Sequence, residues 1–404
     1  MGEHLIQRLG IHGDGVAEGP VFVPLTLPGE VVSGTVEGQR LAEVKIVTPS
    51  EERVAAPCRH FRSCGGCQLQ HASDGFVADW KVAVVRDALA AHGIETAFRP
   101  IVTSPPASRR RATFAARRTK KGAIAGFHAR GSDAVIEIPG CILLTPDVLG
   151  GRDNAHALAL LGASRKAALA VAVTASRAGL DVAVTGGKPA DVTLRQELAA
   201  LCEARGLARL TWDGEVIALR APPAQVFGPA EVVPPPGAFL QATQDGEAAL
   251  VHAVREIVGD ARSITDLFAG CGTFSLPLAA GARVHAVEGD AAMIAALEQG
   301  WRHAKGLQRV TGEARDLFRR PLLPDELQGA DAVVIDPPRA GAEAQIAELA
   351  RSGVARIAHV SCSPVTFARD AATLVRAGYA LDWVQVVDQF RWSPHVEMVG
   401  AFTR

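Results

Sequence analysis

The sequence has almost no excess charge of either sign, because 42 Lys and Arg stand against 43 Asp and Glu for a formal net charge of −1. A surface for nucleic acid would therefore have to come from local clustering of basic residues. No stretch approaches the apolar length of a transmembrane helix. The first residues, Met1–His4, lack the basic and apolar regions of a secretory leader. We expect a cytoplasmic monomer that does not bind membranes.

The composition, 48% hydrophobic and 21% charged, is typical of a globular chain with a sizeable core. A length of 404 residues favours two or three domains. We predict a small β-barrel over residues 1–56, an α+β central domain over 57–235 and an α/β domain over 236–404. The last division rests on a change to a strand–helix–strand pattern after the proline-rich stretch at 234–236.

Short strands separated by glycine-rich turns predict the barrel at the start of the chain. Val21–Val23, Val31–Val36 and Ala42–Val47 alternate or run as apolar segments, with turns between them. Strands at this spacing favour a closed barrel of the oligonucleotide-binding type. Such a fold does not by itself establish RNA binding, so a purely structural barrel remains the alternative.

Three of the seven cysteines lie within ten residues, at Cys58, Cys64 and Cys67. In a chain with no export signal, such clustering favours a metal centre over disulfides. Cys141, which follows a Pro-Gly turn, is the best candidate for a fourth ligand. Four thiolates suit either structural zinc or an iron–sulfur cluster, and the spacing does not distinguish them.

A basic stretch without a single acidic residue lies between Ser108 and Gly131. Residues 111–117 read as a strand and 120–122 as a hairpin turn. Basic side chains on such a hairpin suit contacts with RNA phosphates, although a solvated face is the alternative. The basic residues are Arg109, Arg110, Arg111, Arg117, Arg118, Lys120, Lys121 and Arg130.

Buried strands of the C-terminal domain end in a glycine loop or in an acid. Gly270 and Gly272 follow the first strand, Glu288 ends the next, and Asp336 ends a later one. In open α/β sheets a ligand binds at these carboxyl ends, and an acid there can hold ribose hydroxyls. The third glycine of a dinucleotide fingerprint is missing after Phe274, where the chain has Ser275 instead, which argues against NAD. The pattern favours a nucleoside cofactor without phosphate, such as S-adenosylmethionine.

Cys362 comes just after a short apolar strand, Ile357–Val360, which Ser361, Ser363 and Pro364 break, and Pro364 fits the first turn of a following helix. A cysteine at the carboxyl end of such a strand is a candidate nucleophile. The alternative is a small buried hydrophobic residue, the commoner fate of a lone cysteine.

Together these segments resemble the RNA uracil-C5 methyltransferase family over nearly the whole chain. The resemblance includes a TRAM-like start, the four cysteines and a series of motifs in the family's order. Those motifs are Phe239–Gln241, Asp266–Gly272, Asp336–Gly341, Ser361–Pro364 and His395–Glu397.

The resemblance implies a Rossmann-like methyltransferase domain, with Cys362 as the nucleophile that adds to C6 of uracil and Glu397 as the base that removes the C5 proton. It implies a [4Fe–4S] cluster on Cys58, Cys64, Cys67 and Cys141. It also implies RNA as partner, with 23S ribosomal RNA ahead of transfer RNA, and Arg339 as a phosphate contact. The implied S-adenosylmethionine contacts are Gln241, Phe268, Gly270, Gly272, Thr273, Glu288, Asp316 and Asp336.

The sequence departs from the family pattern at several positions, including Thr243, Thr273 and Ser108. Trp392 stands in an altered motif before the catalytic acid, and we expect it to be able to stack on a base. A cytosine-C5 methyltransferase would carry a Pro-Cys motif where Asp336 is followed by two prolines. The non-enzymatic alternative is an RNA-binding iron–sulfur protein with a degenerate methyltransferase domain.

Overall fold

The computed structural model describes residues 2–404 and begins with a closed five-stranded barrel. Its strand order is β1-β2-β3-β5-β4, and Ile6, Val23 and Val32 fill its interior. The barrel expected from the alternating pattern is thus confirmed. The strands are β1 (Gly2–Leu9), β2 (Gly15–Ala17), β3 (Val21–Val23), β4 (Val31–Glu37) and β5 (Arg40–Thr48).

The segment that carries Cys58, Cys64 and Cys67, here called the cysteine loop, is followed by helix α1 (Asp74–Ala90) and the short strands β6 (Ala97–Phe98) and β7 (Val102–Thr103). Both strands pair in parallel with a strand of the C-terminal sheet rather than with the central one. The apolar side of α1, including Val85 and Leu89, packs into the same core as that sheet. The C-terminal layer therefore recruits chain from before residue 104.

The central layer is a seven-stranded sheet of order β10-β9-β8-β11-β12-β13-β14, with two helices packed on it. Leu158 of the first helix and Leu198 of the second are fully buried against the sheet. The elements are β8 (Arg111–Arg118), β9 (Ala123–His128), β10 (Val135–Ile136), α2 (Pro146–Gly162), β11 (Leu169–Ser176), β12 (Gly179–Thr185), α3 (Val192–Ala204), β13 (Arg209–Trp212) and β14 (Glu215–Leu219).

A two-stranded hairpin, β15 (Gln225–Phe227) and β16 (Ala230–Val232), leads to a nine-stranded sheet of order β19-β18-β17-β20-β21-β23-β22-β6, with β7 also paired to β22. Its first five strands are parallel, and β23 runs antiparallel between β21 and β22. The elements are α4 (Gln244–Val258), β17 (Ser263–Leu267), α5 (Ser275–Leu278), β18 (Arg283–Glu288), α6 (Ala291–His303), β19 (Val310–Ala314), β20 (Ala332–Ile335), α7 (Glu343–Ser352), β21 (Arg356–Ser361), α8 (Pro364–Arg376), β22 (Ala380–Asp388) and β23 (Glu397–Thr403).

Two apolar layers cover the faces of this sheet, as expected for strands that read as continuous apolar runs. Leu250 of α4 and Leu297 of α6 lie in one layer. Leu89 of α1, Leu349 of α7 and Phe367 of α8 lie in the other. Because the first five strands are parallel, their carboxyl ends lie along one edge of the sheet, where ligands bind in such folds.

No helix within residues 2–404 combines the length and the apolar character needed to cross a bilayer.

Candidate active site

Cys362 lies between the end of β21 and the start of α8, as the sequence predicts. Every residue of β21 from Ile357 to Ser361 is buried. Ser363 caps the helix by accepting a hydrogen bond from the backbone N–H of Thr366, and Pro364 occupies the first turn. Because the strand stops and the helix starts within two residues, the half-buried thiol is held at the carboxyl edge of the sheet.

Glu397 is the first residue of β23, and the register of the two strands brings it beside Cys362. Ser361 pairs with Met398 in the antiparallel ladder, so the next residue along β21 faces the residue before Met398. The side chain of Glu397 is buried, with 3% of the residue exposed. The structure thus brings together the two groups that the sequence analysis assigned as nucleophile and base.

Burial and the neighbouring acids both raise the pKa of the Cys362 thiol. Burial, followed by the charges of Glu397 and Asp336, raises the pKa of Cys362 to about 11, and Arg339 opposes this shift. Burial and the neighbouring Asp336 also raise the pKa of Glu397 above its ordinary value. Three acidic groups with raised pKa values therefore share one pocket, an arrangement typical of sites that exchange protons with a substrate.

Asp336 follows β20 and links this pocket to the loop before α4. Gln241 donates a hydrogen bond through Nε2 to Oδ2 of Asp336 at 3.4 Å. Burial, and then the charge of Asp266, raises the pKa of Asp336. Asp266 is itself fully buried at the adjacent strand, where its Oδ2 accepts from the Ser275 hydroxyl at 2.5 Å.

The loop after β17 forms a cradle at the same edge of the sheet. The backbone N–H of Gly270 donates to Oε2 of Glu288 at 3.0 Å. Gly272 has a φ of +94°, and a Cβ there would lie 2.9 Å from Leu276, so both conformation and space require glycine. Thr273 continues this turn. Phe268 has a φ of +60°, an uncommon conformation for a bulky residue that is found more often at binding sites.

Phe268 packs against Phe318, with ring centroids 5.4 Å apart. Phe318 is half-exposed, and its backbone N–H donates to the carboxylate of Asp316 at 3.0 Å. Asp316 therefore fixes the loop that carries the second aromatic ring. The cradle combines a carboxylate at a strand end, a glycine backbone that a ligand can approach closely, and a pair of aromatic rings. These features fit a nucleoside.

The four predicted ligand cysteines meet around one cavity. Cys58, Cys64, Cys67 and Cys141 all line it, together with apolar side chains that include Phe61. Burial raises the pKa of Cys67 to about 12. In the part of the chain from 2 to 404, no three His, Cys, Asp or Glu side chains form a compact group that could hold one metal ion. The four cysteines therefore line one cavity without forming a compact site for a single metal ion.

Part of the basic stretch is directed inward, which corrects its prediction as a run of RNA contacts. Arg110 is buried, donates to the backbone carbonyl of Gln241 at 3.0 Å and forms an ion pair with Glu247. Arg111 donates to the carbonyl of Leu240 at 2.6 Å. These two arginines hold the Gln241 loop against β8, and the buried Arg110 is not available to RNA phosphates.

The remaining basic residues fall into two groups. Lys120 and Lys121 are exposed at the hairpin turn, and Arg117 and Arg118 are half-buried beside it. Arg109 is close enough to Cys67 and Cys141 for their charges to influence its guanidinium. Arg130 donates to the backbone carbonyl of Cys67 at 2.7 Å. The exposed hairpin tip thus remains a predicted RNA contact, whereas Arg109 and Arg130 face the cysteine cavity.

Trp392 does not offer its ring to a base, contrary to expectation. Only 5% of the residue is exposed, and it packs with Phe61, Cys67 and Leu143. Its indole Nε1 donates to Asp74 at the start of α1 at 3.1 Å. Trp392 therefore anchors the connection between β22 and β23 to α1 and to the loop that carries Cys67.

An open groove of about 810 Å³ leads to Cys362. Its walls come from Arg8 and neighbouring residues of the barrel, from Trp80 and neighbouring residues of α1, and from Arg339 beside the thiol. Arg339 is exposed and hydrogen-bonds to Nδ1 of His395 at 2.8 Å. The thiol is therefore approached between the barrel and the methyltransferase-like sheet, with a cation at the entrance.

Sequence reasoning missed Gln389 and Asp266 as members of the site. Gln389 is buried and contacts both Gln241 and Glu397, at 2.5 Å and 3.3 Å. The available signal was a pair of polar residues, Asp388 and Gln389, directly after an apolar strand. Buried polar residues at a strand end require hydrogen-bond partners, and such partners are found at functional edges.

Comparison with known proteins agrees with this geometry. The family model described as tRNA (Uracil-5-)-methyltransferase matches residues 304–403. An RNA methyltransferase of Rhizobium meliloti is 44% identical over 99% of this chain and 98% of its own. The 23S rRNA (uracil(1939)-C(5))-methyltransferase RlmD of Halomonas elongata is 34% identical over 98% of this chain and 88% of its own.

A solved structure shares the complete fold. The Pyrococcus abyssi tRNA (uracil-54, C5)-methyltransferase, in complex with S-adenosyl-L-homocysteine, superposes with a TM-score of 0.76 over 100% of both chains at 21% identity. A barrel, a central layer and a methyltransferase sheet are thus a known combination. Together with the relatives above, the chain belongs to the RNA uracil-C5 methyltransferase family. It is accordingly an RNA-modifying enzyme.

Proposed function

We propose that this enzyme transfers a methyl group from S-adenosylmethionine to C5 of a specific uridine in 23S ribosomal RNA. The single observation that carries the reaction is the meeting of Cys362 and Glu397 at one sheet edge, beside Asp336 and Gln241. The choice of 23S RNA is supported by the 34% identity to RlmD over nearly the whole chain.

The reaction needs a nucleophile because C5 of uracil is too weakly nucleophilic to attack a methyl sulfonium unaided. Cys362 loses its proton to the neighbouring Asp336 carboxylate, and Sγ bonds to C6 of the uracil. The electrons of the C5–C6 double bond move toward C5 and O4, which makes C5 nucleophilic. S-adenosylmethionine, when bound, would supply the methyl group to C5 as its sulfur–methyl bond breaks, leaving S-adenosylhomocysteine.

Glu397 completes the reaction by removing the remaining C5 proton. The electrons of that C–H bond re-form the C5–C6 double bond and expel the Cys362 thiolate, which regains a proton. The raised pKa of Glu397 suits this role, because its carboxylate is a stronger base than an exposed glutamate. The residues that would hold the cofactor are Gln241, Phe268, Gly270, Gly272, Thr273, Glu288, Asp316 and Asp336.

The four cysteines would hold a [4Fe–4S] cluster that ties the loop after the barrel to the loop before α2. Two partly buried arginines, Arg109 and Arg130, lie near the cavity, and the buried Nε atom of each has no hydrogen-bond partner within residues 2–404. Cationic neighbours favour an anionic centre, and four thiolates around sulfide-bridged iron carry net negative charge. Iron and sulfide content and the visible absorption of anaerobically purified protein test this assignment.

The barrel would act as a TRAM domain that holds RNA beside the groove leading to Cys362. The groove, with a volume of about 810 Å³, would receive a nucleotide turned out of its stack, and Arg339, which lines it beside Cys362, can bind a phosphate. Exposed Lys120 and Lys121 would extend this contact along the RNA backbone. Uridine 5-methylation in structured RNA requires such extrusion, because the thiol adds to the face of the ring.

The substrate is tested with RNA from a strain that lacks the enzyme. Purified protein, labelled S-adenosylmethionine and total RNA should place label in 23S RNA, at a uridine converted to 5-methyluridine. The Cys362→Ala variant is the control and should transfer no label. Label confined to transfer RNA would refute the 23S assignment and leave the reaction intact.

The mechanism is tested separately with RNA that carries 5-fluorouridine. Fluorine at C5 leaves no proton for Glu397 to remove, so the covalent bond to Cys362 should persist and survive denaturing electrophoresis. Formation of any covalent adduct should require Cys362. Formation of the methylated adduct should also require S-adenosylmethionine. A stable complex formed by the Cys362→Ala variant would contradict the proposed nucleophile.

Transfer RNA is the second candidate substrate. The observation that favours it is the family model, whose description names transfer RNA and which matches 100 residues of the catalytic domain, from 304 to 403. The labelling experiment above distinguishes the two substrates directly.

A further inference from the structure

Gln389 is a buried amide immediately after β22, with 1% of the residue exposed. It contacts the base Glu397 on one side and the Gln241 loop on the other. We propose that Gln389 is a positioning residue that orients the Glu397 carboxylate and the Gln241 amide for removal of the C5 proton. The inference rests on the proposed function, in which Glu397 is that base.

The orientation of the Gln389 amide follows from its backbone partners. One end of the amide lies 2.7 Å from the backbone nitrogen of Ala242 and 3.4 Å from that of Thr243. Backbone N–H groups only donate, so this end must be the carbonyl oxygen Oε1. The other end is then Nε2, which has two hydrogens to donate.

Both Nε2 hydrogens of Gln389 have acceptors in the site. Nε2 lies 2.5 Å from Oε1 of Gln241 and 3.3 Å from Oε2 of Glu397. Because Gln241 must accept here, its own NH₂ group is turned toward Asp336, where it lies 3.4 Å from Oδ2. The backbone of residues 242 and 243 thus sets the direction of every amide as far as Asp336.

Glu397 is oriented by this neutral donor alone among the described residues. Gln389 supplies the one side-chain hydrogen bond to its carboxylate within residues 2–404, and it does so at Oε2. Oε1 is left free of protein donors and available to receive a proton. A cationic donor would stabilise the carboxylate more strongly and weaken it as a base, whereas an amide orients it with little loss of basicity.

The Gln389 side chain is itself held from two directions. A Cβ added at Gly246, in the first turn of α4, would lie 2.7 Å from Cβ of Gln389, so the helix packs tightly against its stem. The preceding residue, Asp388, forms a buried ion pair with Lys81 of α1 at 2.5 Å. A side chain clamped in this way suits pre-organisation of a catalytic group.

The test measures how the covalent RNA–enzyme intermediate divides between accumulation and release. With RNA and S-adenosylmethionine, Gln389→Met should slow product release roughly tenfold or more while slowing methyl transfer much less, since proton removal is the affected step. Adduct should therefore accumulate on a denaturing gel. Gln385→Met is the matched control, because Gln385 lies on β22, the strand that ends just before Gln389, and its side chain bonds only the carbonyl of Pro100, at 3.1 Å.

A second variant separates positioning from simple support of the fold. Gln389→Glu keeps an acceptor for the N–H groups of Ala242 and Thr243 but removes both donated hydrogen bonds, so it should accumulate adduct as well. Only folded enzyme forms adduct, so the ratio of adduct to released product does not depend on the folded fraction.

Each contrary result is distinguishable through Glu397→Gln, which should trap adduct most strongly. If Glu397→Gln accumulates adduct and neither Gln389 variant does, the role of Gln389 is overturned and the mechanism stands. Loss of both adduct and product in both Gln389 variants also overturns it. If Glu397→Gln itself traps no adduct, the proposed mechanism fails and the inference fails with it.

Discussion

The protein has two thiol sites, and they differ in what surrounds the sulfur. Cys362 faces two carboxylic acids and one arginine at an open sheet edge. The four cysteines of the cavity face one another, among apolar walls with two arginines nearby. Burial is the largest cause of a raised thiol pKa in both places, to about 11 at Cys362 and about 12 at Cys67.

Burial alone prepares a thiol neither for nucleophilic attack nor for metal binding, because both require the thiol to lose its proton. At Cys362 the neighbouring carboxylates can take up the thiol proton when a substrate arrives. In the cysteine cavity no carboxylate is among the lining residues, so a metal centre would have to displace the protons itself. Under the proposed function, the cysteine side chain forms a transient bond to the substrate in one place and a lasting bond to a metal centre in the other.

The largest expected effect separates the two sites by substitution. Cys362→Ala should reduce methyl transfer by at least about 10³-fold, as removal of a nucleophile commonly does, with little change in Tm. Cys67→Ala should instead lower the Tm, because it removes one ligand of the proposed cluster. Methyl incorporation and thermal unfolding measure the two. An equal fall in Tm in both variants would contradict the assignment of Cys362 to catalysis and of Cys67 to structural support.

A buried ion pair anchors the catalytic side of the comparison. Lys81→Met leaves the buried Asp388 without its cation and should lower the free energy of unfolding by about 3–5 kcal/mol. The control is Arg177→Met, whose partner Glu231 is largely exposed, with an expected change of about 1 kcal/mol or less. Urea unfolding measures both. If Lys81→Met lowered the free energy of unfolding as little as the control does, the ion pair between α1 and the end of β22 would not stabilise the fold.

Removal of the proposed cluster should affect one site and spare the other. Chelation after oxidation should lower the Tm by about 5 °C or more and expose Cys58, Cys64, Cys67 and Cys141 to alkylation, because the cluster ties their two loops together. The alkylation rate of Cys362 should not change. Mass spectrometry of the modified peptides reports all five thiols. Unchanged protection of the four cysteines would argue against a metal centre.

The smallest effect concerns the pKa of Cys362. With a pKa of about 11, only about one thiol in a thousand is ionised at pH 8, and alkylation should accelerate as the pH rises toward 11. Asp336→Asn removes a negative charge, lowers this pKa and should speed alkylation several-fold at pH 8. Arg339→Gln removes the opposing positive charge and should slow it. Shifts in the same direction for both variants would contradict the assigned charges.

Much of the fold was predictable from local pattern. The barrel, the parallel strands with acids at their ends, and the turn that delivers Cys362 follow from alternation, apolar runs and helix-capping residues. The pairing of β21 with β23 was not needed to expect Cys362 beside Glu397, because the closing hairpin brings that end of the chain to the same edge.

What the sequence concealed depends on contacts between distant segments. Arg110 and Arg111 read as part of a basic face, but they satisfy the carbonyls of a loop about 130 residues away. Trp392 reads as an exposed aromatic, but it fills the space between α1 and the cysteine loop. The polar pair at Asp388 and Gln389 marks a strand end but does not reveal the role of Gln389, because that role depends on Gln241, Ala242 and Glu397 on two other segments.

The insertion of β23 between β21 and β22 has a consequence for how the enzyme is made. Ribosomes deliver the chain in order, so the strand before Cys362 and the edge strand β22 both emerge before the strand that must separate them. A nascent chain synthesised as far as Asp388 already carries Cys362, the proposed nucleophile, but not Glu397, the proposed base. In the folded chain β21 and β22 pair with β23 and not with each other, so the proposed site is complete only once β23 is in place.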